Sequence, residues 1–269
     1  MLEMKNHTFV ICAYKESKYL EECVKSIINQ TVKSNVIMVT ATPNNFIKQI
    51  SDKYNINLYI NEGEKGIGQD WNFGVSKTTT DYVTVIHQDD VYKENYLEKL
   101  MSYTNKYDDI VMFFTNYKEL KNGKVIKQTR NLKIKNLLLT PVKWFSKSRK
   151  AKRLSLSFGS PICCPSVTLN TKIVGKKPYK TELKCDLDWD TWLSLTEYKG
   201  RYIYEKEVLM YHRIHEESAT SKLIENNIRL EEDLEMFGRL WPKNIAKFMM
   251  KYYSIAVKTN NIDKVKEEK

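Results

Sequence analysis

Three groups of side chains along this 269-residue chain carry the types and spacing that chemistry needs. The first is Asp89-Asp90, at the end of DYVTVIHQDD, just beyond the apolar, β-branched run Val83, Thr84, Val85 and Ile86. Adjacent carboxylates repel and must be solvated or matched by cations. A strand aimed at such a pair is either a metal site at a sheet edge or the start of the helix that follows, YKENYLEKLMSY. The second group is Asp186, Asp188 and Asp190 in CDLDWDTWLSL, where a helix start favours negative charge. The third is Arg213 and His215 in YHRIHEESATS: neutral imidazole ligates metals, and its cation steadies phosphate.

The elements that must bring these groups together alternate in type. HTFVICAY, NVIMVTA, INLYIN and DYVTVIH read as apolar strands, and DIVMFFTNY as a fifth. Between the first two, Leu20, Cys23, Val24, Ile27 and Ile28 recur at helical spacing, with Ser17 as the expected N-cap. Pro43 stands where a first helical turn tolerates it, ahead of NNFIKQISDKYN. EGEKGIG is a glycine-containing loop before the short helix QDWNFGVSKTT. Short links between alternating strands and helices predict an α/β fold, a Rossmann-like, mostly parallel sheet with helices on both faces. Ligands then bind beyond the carboxyl ends of the strands, where Tyr14, Thr40-Ala41 and Asp89-Asp90 should converge. After Tyr117 the alternation is lost. KNGKVI reads as a hairpin turn, LSFGSPICCPSVTLN as extended chain, and the residues from Ser221 onward as charged helices that could dock on the core, a partner subunit or a membrane. The organisation expected is a catalytic domain over 1–220 and a C-terminal helical extension over 221–269, with a frayed end.

Composition narrows the function classes. With 42% hydrophobic residues the chain can build one sizeable core, and no apolar run nears the ~20 residues that span a bilayer. The N-terminal stretch does not read as a secretion signal, so a cytoplasmic location is expected. Five cysteines without CxxC spacing argue for reduced thiols rather than zinc or disulfides. The net charge of +11 concentrates between Lys118 and Arg153, where thirteen Lys and Arg face the single acid Glu119. Its partner is anionic: phosphate, a charged polymer or a lipid surface. The groove-reading and base-stacking modules of nucleic-acid binders are missing. Around IKNLLLTPVKWFSKSRKAKR, cations border Leu137, Leu138, Leu139, Trp144 and Phe145, a mix that suits an anionic membrane or a loop closing over diphosphate.

Four segments in order, VICAYKESKYLEECVKSIINQT, GIGQDWNFGVSKTTTDYVTVIHQDD, LDWDTWLSL and YHRIHEESATS, resemble family-2 glycosyltransferases, inverting enzymes of the GT-A fold. The resemblance spans roughly residues 7 to 221. It implies a nucleoside diphosphate-sugar donor, a UDP-sugar by preference, with Mn2+ or Mg2+ as cofactor and a glycan or lipid-linked acceptor in bacterial-type surface polysaccharide synthesis, at the inner face of the plasma membrane. It places Ala13, Tyr14, Glu16, Thr40, Asn72, His87 and Gln88 at the nucleotide sugar, Asp89 and His215 at the metal, and Asp188 as general base. Asp90 would orient the acceptor or cap the next helix; Asp186 and Asp190 are rivals for the base, with helix capping or a structural hydrogen bond the other reading of Asp190. Trp189 and Trp192 could stack on a sugar face, although Trp192 falls at core spacing and is expected to be packed. Three departures stand out: His87 replaces the first carboxylate of the D-x-D-D element, Leu187 stands where the family commonly has Glu, and TATPNN lacks the Asp that meets the base. They keep open an alternative, a degenerate member that binds nucleotide sugar or glycan without turnover.

Overall fold

The computed structural model describes residues 3–127, 129–215 and 228–251. In chain order the elements are β1 (Glu3–Cys12), α1 (Leu20–Ile28), β2 (Lys33–Thr40), α2 (Asn45–Lys53), β3 (Asn57–Ile60), α3 (Ile67–Ser76), β4 (Tyr82–His87), β5 (Val91–Tyr92), α4 (Tyr96–Thr104), β6 (Ile110–Lys121) and β7 (Lys124–Val125). There follow α5 (Arg130–Leu138), α6 (Thr140–Trp144), α7 (Arg149–Leu156), β8 (Val167–Asn170), α8 (Thr171–Val174), α9 (Leu187–Leu195), β9 (Arg201–Arg213) and α10 (Ile228–Leu240). One sheet runs in the order β3-β2-β1-β4-β8-β6-β9-β5, with β7 against β6. β1 pairs in parallel with β2 and β4, β2 with β3, and β6 with β9; β8 and β5 run antiparallel to their neighbours.

The central strands are apolar on both faces because helices cover both. Along β1, Phe9 and Ile11 join one core with Leu20, Val24 and Leu97, while Val10 joins the other with Val85, Trp71 and Trp189. Helix α3 lies close on β1 only because residue 74 is glycine: a Cβ there would sit 2.4 Å from the Val10 side chain. The apolar reading of β1 passes over His7. It is buried between Ser34 and Thr84, and burial pulls its pKa down to about 3, so it is a neutral hydrogen-bonding member of the core.

Some local expectations shift. Ser17 does not cap α1: the N-cap is Tyr19, and the Ser17 hydroxyl accepts from Tyr19 N–H one turn earlier. Pro43 precedes the helix, and Asn44 caps it by accepting from Ile47 N–H. The expected hairpin joins β6 to β7, with Asn122 (φ 50°) and Gly123 (φ 74°) both left-handed, as a two-residue type I′ turn requires. The stretch read as extended, 156–170, begins on the last residue of α7 and holds a 3-10 turn at Cys164–Ser166 before β8. The helical extension takes the first of its three destinations, since Met236 and Phe237 are fully buried in the same core as Val10 and Trp189. No helix among the described residues is long and apolar enough to cross a membrane. The expected frayed end lies outside the described residues.

Candidate active site

The carboxyl ends of β1, β4 and β9 form one crevice edge. Gln88, just past β4, clamps the loop after β1: its amide accepts from Tyr14 N–H and donates to Tyr14 C=O, both at 2.9 Å. Ala13 is buried, and its N–H donates to Val39. The Tyr14 ring is 53% exposed, and Glu16 is exposed on the same loop. Thr40 is buried and its hydroxyl accepts from Thr42 N–H, closing the turn after β2. The Thr42 hydroxyl in turn accepts from Lys15 N–H, whose residue is held at φ 53°.

At the tip of β4 the two carboxylates face different partners. His215 Nε2 donates to Asp89 Oδ2 at 2.8 Å, and Arg213 Nε donates to the Asp89 carbonyl at 2.8 Å. Burial works to raise the Asp89 carboxyl, but the His215 hydrogen bond and the imidazoles of His87, His212 and His215 hold it below the ordinary value. Asp90 is fully buried; its Oδ1 accepts from Arg213 N–H at 2.9 Å and lies 3.0 Å from His212 Nδ1. It does not cap the next helix, which starts only at Tyr96 with Asn95 as N-cap. Burial opposes a charge on His212, yet Asp90 and Asp89 win and raise its pKa to about 9. Burial lowers His87 against the pull of the same acids, and its ring stacks on Trp71 with centroids 5.3 Å apart. The Arg213 guanidinium is matched by a carboxylate: Glu22 accepts from it at 2.6 Å, and the Tyr19 ring centre lies 4.2 Å from the guanidinium carbon.

A divalent cation fits this donor set. Side-chain ligand atoms of His87, Asp89 and Asp90 lie within 4.8 Å of one another. Two buried atoms among them, His87 Nε2 and Asp90 Oδ2, have no hydrogen-bond partner. Two carboxylates and an imidazole suit Mn2+ or Mg2+.

Asp188 sits in the first turn of α9, its Oδ1 accepting from Trp189 N–H at 2.7 Å. Burial raises its pKa; that N–H bond, Lys135 and Arg229 oppose the shift. Burial raises the nearby Cys163 thiol well above its usual value, with Asp90, Asp188 and Glu119 adding to the shift and Lys135 opposing. Lys135, from α5, donates to the Tyr117 hydroxyl at 3.2 Å and also acts on His212.

The neighbouring acids are structural. Asp190 is buried and pairs with Arg239 at 2.7 Å. Asp186 is buried against the Asp233 carboxyl of α10; burial and the facing acid raise Asp186 to about 9, and burial raises Asp233 as well. Glu232 accepts the consecutive backbone N–H groups of Lys184, Cys185 and Asp186 at 2.7 to 3.0 Å. Helix α10 therefore holds the loop that launches Asp188. Trp189 and Trp192 are fully buried rather than open to a sugar: the Trp189 indole donates to Leu156 C=O and its ring meets Phe237, because α9 is covered by α7 and α10. The Asp186–Asp233 pair carries a pH signature. A raised pKa means the native state holds more protons, so stability falls as pH rises from the ordinary carboxylate range towards about 9. Unfolding free energy should drop over that window by at most about 1.4 kcal/mol per pH unit per group, read as a falling melting temperature, and Asp233→Asn should flatten the slope.

The structure thus gathers Ala13, Tyr14, His87, Gln88, Asp89, Asp90 and His215, while Asp188 lies at the start of α9 and acts with Asp90 on the Cys163 thiol. Asn72 points elsewhere: its amide donates to Tyr179 C=O and accepts from Tyr179 N–H, pinning α3 to the 177–182 loop. Residues the sequence reading missed include His212, Lys135 and Asp70. His212 stands three positions before His215, which was a usable signal. Asp70 accepts from Asn61 at 2.6 Å, is raised by burial, and is near enough to Cys12, at the end of β1, to shift its thiol upward. It is an acid near the carboxyl ends of β1 and β3, whereas TATPNN has none.

Comparison with known proteins agrees with this geometry. The profile described as Glycosyl transferase family 2 matches residues 8–174. "Uncharacterized glycosyltransferase MJ1057" of Methanocaldococcus jannaschii is 28% identical over 214 residues, 76% of this chain and 69% of that protein. Among solved structures, S. aureus TarS 1-349 in complex with UDP-GlcNAc superposes with TM-score 0.60 at 15% identity, over 92% of this chain and 70% of that one. Mannosyltransferase PcManGT from Pyrobaculum calidifontis, in complex with GDP-Man and Mn2+, gives TM-score 0.64 at 12% identity, over 87% of this chain and 63% of that one.

Proposed function

The chain belongs to glycosyl transferase family 2 and is a glycosyltransferase of GT-A fold, and from that premise we propose an inverting, metal-dependent transfer from a nucleoside diphosphate-sugar to a hydroxyl acceptor. The observation that carries this reading is the Asp89–His215 contact at the tip of β4, supported by the raised carboxyl of Asp188 at the start of α9. In the transfer, the acceptor oxygen bonds to the anomeric carbon as the bond from that carbon to the diphosphate oxygen breaks. Asp188 takes the hydroxyl proton, and burial makes it a better base than an ordinary aspartate. His87, Asp89 and Asp90 would hold Mn2+ or Mg2+, with His215 fixing Asp89 from behind; the cation's charge offsets that of the leaving diphosphate. Tyr14, Glu16, Asp70 and Thr42 border the nucleotide end, Ala13 and Thr40 lie buried beneath them, and Lys135 favours the ionised form of Asp188.

The neighbours' UDP-GlcNAc and GDP-Man support a nucleotide sugar as donor. A UDP-sugar is the first choice, and the acceptor is a hydroxyl of a glycan or lipid-linked glycan in bacterial-type surface polysaccharide synthesis. The enzyme works in the cytoplasm, at the inner face of the plasma membrane. The test is release of nucleoside diphosphate from a panel of UDP- and GDP-sugars with Mn2+ or with EDTA, alongside thermal shift. We expect a donor that raises the melting temperature only with metal and is turned over. A donor that stabilises the protein without any release would favour the binding-only alternative.

A further inference from the structure

The thirteen cations between Lys118 and Arg153 do not make one even basic face. Lys147 pairs with Asp109 at 2.8 Å, and Arg149 and Arg153 pair with Glu197 at 2.7 and 3.6 Å. Lys152 is buried, donating to Tyr198 C=O with its ammonium 4.6 Å from the Tyr202 ring centre. Around α6, Lys143 and Lys150 stay exposed, and Lys206 of β9 comes up beside Lys143. Among the described residues no carboxylate pairs with any of these three. Contact with the Lys206 ammonium, then burial, pulls the Lys143 pKa down, the mark of two like charges crowded together.

Beside these ammonium groups lies an unpartnered apolar surface. Leu137 is 70% exposed, Trp144 69%, Phe145 67% and Leu154 48%, bordering an open groove of ≈540 Å³ with Pro141 and Lys150. Aromatic and aliphatic side chains edged by lysines match the boundary between headgroups and acyl chains. A second copy of the chain would set the same three cations against their equivalents, so charge disfavours self-association through this face. We infer that α5, α6 and α7 dock this protein on a bilayer containing anionic lipid, with Trp144, Phe145 and Leu137 seated at headgroup depth and Lys143, Lys150 and Lys206 against lipid phosphates. The opposite side of α5 carries Lys135, which reaches the Asp188 side of the site. Docking in this orientation brings a lipid-linked acceptor to the base along α5. That last consequence rests on the transferase reading; the docking itself does not.

The experiment uses the full chain and phosphatidylcholine vesicles with or without phosphatidylglycerol, read by co-sedimentation and tryptophan emission. Trp71, Trp189 and Trp192 are buried and Trp241 is partly so, which leaves Trp144 as the exposed reporter. The expected result is sedimentation and a blue shift with phosphatidylglycerol vesicles only, weakening with salt. Lys143→Gln and Lys150→Gln should each weaken binding about fivefold. Trp144→Ser with Phe145→Ser should abolish the blue shift and most of the binding while keeping the melting temperature and the release of nucleoside diphosphate. No sedimentation, sedimentation undiminished in these variants, or a dimer that the aromatic double variant dissolves would each overturn the proposal. Failure of nucleoside diphosphate release in the parent chain would instead strike the catalytic reading alone.

Discussion

Asp188→Asn should lower kcat about 10³-fold, within the 10²–10⁴ that a positioned general base contributes, while leaving the metal-dependent thermal shift by the donor in place. The amide keeps the size of the side chain and can still accept from Trp189 N–H. It cannot take the acceptor's proton. The same residue sets the acid limb of the pH profile. Because burial raises the Asp188 carboxyl above the ordinary value near 3.8, kcat should begin to fall at a higher pH than a solvated aspartate would give, as protonation removes the base. An Asp188→Asn enzyme with unchanged kcat would remove this residue from the chemistry.

Asp89→Asn should be as damaging at an earlier stage. Its carboxylate, held ionised below the usual range, is the member of the β4 pair not enclosed in the core: Asp90 is fully buried and ties β9 down through Arg213 N–H and His212. Removing the Asp89 charge takes away the part of the site that matches a cation and leaves the backbone bond from Arg213 untouched. We expect the metal-dependent thermal shift to vanish and turnover to fall about 10²–10³-fold, with little loss of melting temperature. Persistence of both shift and turnover would mean that the cation is held elsewhere.

The sheet and its crevice were legible because their signals are local. An apolar run ending in acids, helical spacing between strands and an Asn-Gly turn are each contained in a few residues. Asp89 and His215, which meet at the tip of β4, stand in such local patterns too. What escaped depends on contacts between distant segments. Nothing near Asp190 announces Arg239, and nothing in KCD announces Glu232, so these acids looked available when they or their loop were already engaged. Trp189 looked like a sugar platform because a helix start is usually open on one side; here α10 supplies the second cover. Lys135 was lost among a dozen other cations, although its direction towards Tyr117 separates it from those that face outward. Asn72 lies in a segment that resembles a donor-binding element, yet its side chain is matched by the backbone of Tyr179, more than a hundred residues on.

The dependence of α9 on α10 has a consequence for how this enzyme comes into being. A nascent chain that has emerged from the ribosome only as far as His215 already owns the acids and imidazoles at the tip of β4, but Asp188 rides on an unanchored segment until Glu232 and Arg239 arrive. The order in which the site is assembled is thus set by α10: until that helix docks, the segment carrying Asp188 lacks the three backbone bonds to Glu232 that fix it.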